Sequence, residues 1–372
     1  MSKSRLFSPF EVAGLNLDNR IVIAPMCQYS AADGCMTDWH HQHYGQLALS
    51  GAGLLTIEAT AVAPEGRITG RDVGLYSDAN EVAMADVLDS IRQWSSIPVA
   101  VQLAHAGRKA STDLPWQGGA QIPPESPQGW RTVAPSALGM APGDAPPMAL
   151  SRDDLARIRE AFVVAARRAA RLGVDAVQLH GAHGYLLHQF LSPLSNRRDD
   201  SYGGSLENRM RFPLEVFDAV RAAFPAGRAV TMRVSGTDWI AGGWSIEDSC
   251  VFAQELEKRG CAAIHVSSGG LAAADIPVGP NYQVPLAARV KAAVAMPVVA
   301  VGLITDFDQA EAILAAGDAD LIALARAVLY NPRWPWHAAA HFGDKVRAPN
   351  QYLRCQPRAF KDLFAADNGA LS

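Results

Sequence analysis

Eight short runs rich in β-branched and other apolar residues recur along the chain, and helix-length segments separate most of them. No other feature of the sequence narrows the fold as far. The runs cover residues 20–24, 54–59, 99–104, 176–180, 229–234, 263–267, 298–301 and 321–324. They are mostly apolar rather than strictly alternating, as parallel strands buried on both faces must be. The segments 80–94, 151–171, 206–224, 246–259 and 306–316 have helical length and period. Helix starts are marked by Ser151 ahead of Arg-Asp-Asp and by Thr305-Asp306. Strand and helix alternating eight times predict a closed (β/α)8 barrel, here a single unit spanning 1–372. An open, doubly wound sheet is the alternative. Its Gly-x-Gly-x-x-Gly turn after the first strand is missing, and the chain reads Pro25-Met-Cys-Gln-Tyr29 there instead.

Residues 105–150 form one outsized connection, rich in Pro, Gly and Ser, after the third strand. It is far longer than an ordinary strand-to-helix loop, and at that end of a barrel it is expected to act as a lid or subdomain.

Composition closes off several function classes. Against 33 basic residues stand 37 acidic ones, a net charge of −4. That is too near neutrality to favour nucleic acid or a membrane surface. No stretch approaches the ~20 apolar residues of a membrane span, and no secretory leader is recognisable at the N-terminus. The five cysteines, Cys27, Cys35, Cys250, Cys261 and Cys355, form no zinc or iron–sulfur spacing. A reducing, cytoplasmic setting is the expectation.

Barrels carry their chemistry at the C-terminal ends of the strands. Here the strand ends carry Cys27 and Tyr29, Glu58 and Ala59, Gln102 with His105, His180 with His183 and Tyr185, Arg233, Gly302 and Arg326. Two neutral imidazoles three residues apart can grip one carbonyl or phenolate oxygen and stabilise negative charge on it. By spacing alone they could also bind a metal or cap a helix, although His188 is the nearest further ligand and belongs to no motif. Tyr185 is placed to supply a proton, or merely to pack. Gly302, Ala325-Arg326 and Arg233 suit a phosphorylated ligand. On these residues alone a non-redox aldolase or isomerase stays open, with Lys109 as a Schiff-base candidate.

Several strings together resemble the Old Yellow Enzymes, above all the thermophilic-like bacterial ene-reductases of the NADPH dehydrogenase and xenobiotic reductase type. They are Ala24-Pro-Met-Cys-Gln-Tyr29, Glu58-Ala-Thr-Ala61, Gln102-Leu-Ala-His-Ala-Gly-Arg-Lys109, His180-Gly-Ala-His-Gly-Tyr185, Phe190-Leu-Ser-Pro-Leu-Ser-Asn196 and Tyr202-Gly-Gly-Ser205. The resemblance runs from Leu6 to Arg354. It implies tightly but non-covalently bound FMN, reduced by NADPH or NADH in a ping-pong cycle that ends on the C=C bond of an enone or related alkene. Ala24, Pro25, Met26, Cys27, Ala59, Gln102 and Arg233 then resemble ring contacts, and Gly302, Ala325 and Arg326 phosphate contacts. Cys27 resembles a residue that tunes the flavin rather than a nucleophile. His180 and His183 would hold the substrate oxygen, Tyr185 would donate the proton, and Tyr29 would line the substrate side. Arg354 resembles an arginine that reaches a neighbouring subunit's pocket, which implies a homodimer or higher oligomer. Two departures stand out: Ala325 where glycine is frequent, and a tail, 355–372, that continues past Arg354.

Overall fold

The computed structural model describes residues 3–367. Eight parallel strands close into a barrel in sequential order. They are β1 (Ile21–Ile23), β2 (Leu54–Ala61), β3 (Val99–Ala104), β4 (Ala176–Gly181), β5 (Ala229–Ser235), β6 (Ile264–Ser267), β7 (Val298–Ala300) and β8 (Leu321–Leu324). The closed barrel excludes the open sheet, and every strand falls on its expected run. The principal outer helices are α1 (Asp38–Ala48), α2 (Asp78–Trp94), α3 (Arg152–Arg171), α4 (Leu206–Ala223), α5 (Ile246–Lys258), α6 (Val284–Lys291), α7 (Phe307–Ala316) and α8 (Trp334–Phe342). Ser151 caps α3 by accepting from the Asp154 N–H, and Asp306, rather than Thr305, caps α7. Helices α1, α6 and α8 are additional to those expected from period; α1 is rich in His and Gln and presents only a weak apolar stripe.

Two layers of apolar packing follow from the period of the strands. Outward residues such as Ile21, Ile57, Val101, Leu179 and Met232 meet the helices in a continuous shell. Small inward residues, among them Ala100, Ala176, Ala229 and Ala263, fill the lower lumen. A short hairpin (Phe10–Val12 with Leu15–Leu17) packs Val12 and Leu17 against that layer. The N-terminal mouth is thus plugged, and polar side chains can collect only at the opposite end.

The 105–150 segment contains the 3-10 turns Gly107–Lys109 and Pro115–Gln117 and a two-stranded piece pairing Val133–Ala134 with Met148–Ala149. At the C-terminus Val346–Pro349 pairs in parallel with Phe364–Asp367. The last five residues of the 355–372 tail lie outside the described residues.

Candidate active site at the C-terminal rim

Strand β4 delivers the central cluster. Gln178 and His180 point inward from it, and His180 is the register partner of Arg233 on β5. After Gly181 the chain turns sharply, with His183 and Gly184 both left-handed at φ 58° and 75°. A non-glycine residue pays about 1 kcal/mol or more for that conformation, so neighbours must hold it. The His183 N–H donates to Ser235 Oγ at 2.9 Å, and Lys109 Nζ donates to the His183 carbonyl at 2.8 Å. The Gly184 N–H donates to His188 Nδ1 at 2.9 Å, and His188 Nε2 stands 3.0 Å from Asp238 Oδ1, both side chains fully buried. Gly184 is required here, because a Cβ would lie 2.2 Å from the Gly270 carbonyl.

This turn sets two imidazoles at right angles. The His180 and His183 rings are 5.1 Å apart at 86°, and Tyr185 stands 4.8 Å from His180 at 82°. His180 Nδ1 accepts the Ala182 N–H at 3.3 Å, which leaves the ring proton on Nε2. His183 Nε2 is 2.7 Å from Ser267 Oγ, and that oxygen already accepts from Gln283 Nε2 at 3.3 Å. With the Ser267 hydroxyl donating to His183, the proton of that ring sits on Nδ1. Burial, reinforced by Arg233 and Lys109, pushes both imidazoles well below the usual histidine range. Burial pushes the Tyr185 phenol well above its usual value. The cluster is two neutral N–H donors beside a protonated phenol.

The other strand ends face it. Cys27 follows β1, and burial, then the Asp72 and Glu58 carboxyls, hold it as a neutral thiol. Tyr29 is left-handed at φ 51° and meets Trp116 edge-on at 6.0 Å, so the 105–150 segment reaches the site. Ala59 pairs in register with Gln102, whose Nε2 donates to Gln178 Oε1 at 2.7 Å; its own carbonyl oxygen stays available as an acceptor. Arg233 is buried, its Nε finds no hydrogen-bond partner among the described residues, and burial lowers its guanidinium to about 10. An unpaired buried cation is costly unless an electron-rich ligand meets it.

Beside this cluster lies a cavity of about 270 Å³ whose lining includes His183, Arg233, Ser267, Gly302, Ala325 and Arg326. Gly302 sits at φ 117°, where a Cβ would come within 2.8 Å of the Gln283 side chain. Ala325 has a negative φ of −117°, so its methyl group meets no left-handed strain. The cavity, the unpaired arginine and the glycine cradle fit a phosphorylated heterocycle such as FMN.

Arg354 does not line this cavity. It lies on the exposed turn Asn350–Cys355, whose Tyr352 packs against Trp336 of α8 at 6.2 Å. Lys109, a Schiff-base candidate by sequence, donates to the carbonyls of both His183 and Gly270 and clips the β4 turn to the loop after β6. Ser267, Ser235, Gln178 and Trp116 escaped the sequence reading. Only the first three could have been found there, as polar residues in otherwise apolar strands.

The model of the NADH:flavin oxidoreductase / NADH oxidase family matches residues 5–345. The chain belongs to this family. An NADPH dehydrogenase of Geobacillus sp. (strain WCH70) is 40% identical over 95% of this chain and 98% of its own. NADH:flavin oxidoreductase FG08077 of Gibberella zeae is 41% identical over 94% of this chain and 88% of its own. Among solved structures, morphinone reductase superposes with a TM-score of 0.76 at 29% identity, over 98% of this chain and 94% of that one. An old yellow enzyme homologue from Zymomonas mobilis gives 0.75 at 28% identity, over 89% of this chain and 91% of that one. As a family member, the protein is an FMN-dependent oxidoreductase that draws electrons from NAD(P)H. The non-redox aldolase reading is thereby overturned.

Proposed function

We propose that this flavoenzyme reduces the C=C bond of enones and related electrophilic alkenes. The observation that carries the reading is the pair of orthogonal, neutral imidazoles beside a protonated tyrosine. His180 Nε2–H and His183 Nδ1–H are two donors for one carbonyl, nitro or phenolate oxygen, and an oxygen held by both draws electron density from the conjugated alkene. Tyr185 Oη holds the proton that the α-carbon needs. FMN, when bound, supplies the hydride. Ala24, Pro25, Met26, Cys27, Ala59, Gln102 and Arg233 would hold its ring system, and Gly302, Ala325 and Arg326 its phosphate. The buried Arg233 cation favours an anionic partner at the ring edge. Tyr29 and Trp116 narrow the substrate side, which supports reading 105–150 as a lid on a single barrel unit.

The exposed Arg354 suits a contact with a second copy of the chain, in a homodimer or larger oligomer. Among the described residues no helix is long and apolar enough to cross a membrane, and a cytoplasmic setting remains our reading. Oxidation of NADPH by the purified protein, with and without 2-cyclohexen-1-one, tests the proposal. Yellow protein whose NADPH consumption the enone fails to stimulate would sink it.

A further inference from the structure

Glu58 is wholly buried, carries a carboxyl group, and takes no part in the chemistry above. Its place in the fold is unusual. The β2–β3 register shifts between Ile57 and Ala59, so Glu58 is the extra residue of a β-bulge. A bulge releases one residue from the ladder and re-aims its side chain. The Tyr44 hydroxyl on α1 serves both consequences: it accepts the Glu58 N–H at 3.0 Å and donates to Glu58 Oε1 at 2.9 Å. The other carboxyl oxygen accepts the Gln28 N–H at 2.8 Å. Gln28 is fastened on every side, through its Nε2 to the Met26 carbonyl at 2.8 Å and through Oε1 to Trp39 Nε1 at 3.1 Å. Cys27 and Tyr29 flank it, and Tyr29 holds its left-handed conformation there.

We propose that Glu58 is a positioning residue for the reaction: its carboxyl group, turned outward by the bulge, holds the Gln28 peptide and so sets where Cys27 and Tyr29 stand over the pocket. The inference rests on the reading that those two side chains face cofactor and substrate. Burial raises the Glu58 carboxyl to about 8, against the Gln28 and Tyr44 hydrogen bonds, which lower it. The groups facing it are Tyr44 and His40 from α1, Asp72, and Cys27, with His43 packed edge-on against Tyr44. Burial holds His40 and His43 at about 4, while Asp72 is raised to about 6, so neither change coincides with that of Glu58.

The test uses the holoenzyme and the neutral probe 2-cyclohexen-1-one. Glu58→Ala removes the acceptor and is expected to raise KM roughly tenfold, the usual scale for a buried donor left unpaired, with kcat changed far less. Glu58→Gln keeps a carbonyl for Gln28 and is expected to restore KM to within about twofold. Iodoacetamide labelling of Cys27 in the holoenzyme, read by peptide mass, is expected to quicken several-fold in Glu58→Ala. Tyr44→Phe should shift KM in the same direction, which serves if the alanine variant does not fold. A wild-type KM in Glu58→Ala overturns the proposal. So does equal impairment of Ala and Gln variants with a matching fall in Tm, which marks a purely structural residue. If instead Tyr29→Phe and Cys27→Ala leave KM and the flavin spectrum untouched, the underlying reading of the pocket wall fails, independently of Glu58.

Discussion

His183 Nε2 lies 2.7 Å from Ser267 Oγ, so a hydroxyl on β6 is positioned to fix the tautomer of an imidazole on the turn after β4. Removing that hydroxyl in Ser267→Ala frees the ring proton to move to Nε2 and leaves an acceptor aimed at the substrate oxygen. Affinity for a phenol, followed by absorbance titration of the bound flavin, should weaken about tenfold, the worth of one such bond. Retained affinity would mean that the tautomer is set elsewhere.

Arg233 separates stability from cofactor binding. Its buried cation has no partner at Nε among the described residues. Arg233→Met should therefore leave the FMN-free chain as stable or more so, because an uncompensated charge is removed. FMN affinity should fall by about ten- to hundredfold, the scale of a lost charge-assisted bond. Thermal melts with and without FMN, paired with fluorescence titration, read both effects. A fall in stability with unchanged affinity would contradict this account.

Tyr185→Phe removes the proton held beside His180 without changing the shape of the pocket. Stopped-flow measurements should find flavin reduction by NADPH nearly unchanged, and reoxidation by 2-cyclohexen-1-one slowed by roughly a hundredfold, within the usual range for a lost general acid. Equal slowing of both halves would remove Tyr185 from the proton-donor role.

Gly184→Ala places a methyl group on the Gly270 carbonyl at a left-handed residue. A loss of about 2 kcal/mol or more is expected, together with disordering of the His183 turn. Urea unfolding measures the first and phenol affinity the second.

Acid should destabilise the protein below about pH 6.5, where unfolded histidines begin to take up protons. His40, His43 and His105 are held at about 4, and His180, His183 and His265 well below their usual value, chiefly by burial. Each stays neutral in the native state while its unfolded counterpart binds a proton, so stability is lost as pH falls through this window. Glu58 and Asp72, raised to about 8 and about 6, act in the opposite sense but are outnumbered. The urea midpoint should be lower at pH 5 than at pH 7.5; an equal or higher midpoint at pH 5 would contradict the assignment of neutral histidines.

The strand-and-helix alternation was readable from the chain alone, because the burial of a parallel strand and the period of a helix are local properties of ten or fewer neighbouring residues. So were the reactive groups at the strand ends, which the barrel must place on one rim. The tertiary structure decided how those groups are held. His183 depends on Ser235 and Ser267, 52 and 84 residues away, and Lys109 meets its carbonyl across 74 residues. Glu58 turns away from the ladder only because β2 bulges against β3. Such partners are fixed by inter-strand register, a property of the closed sheet as a whole, and no local pattern in the sequence carries it.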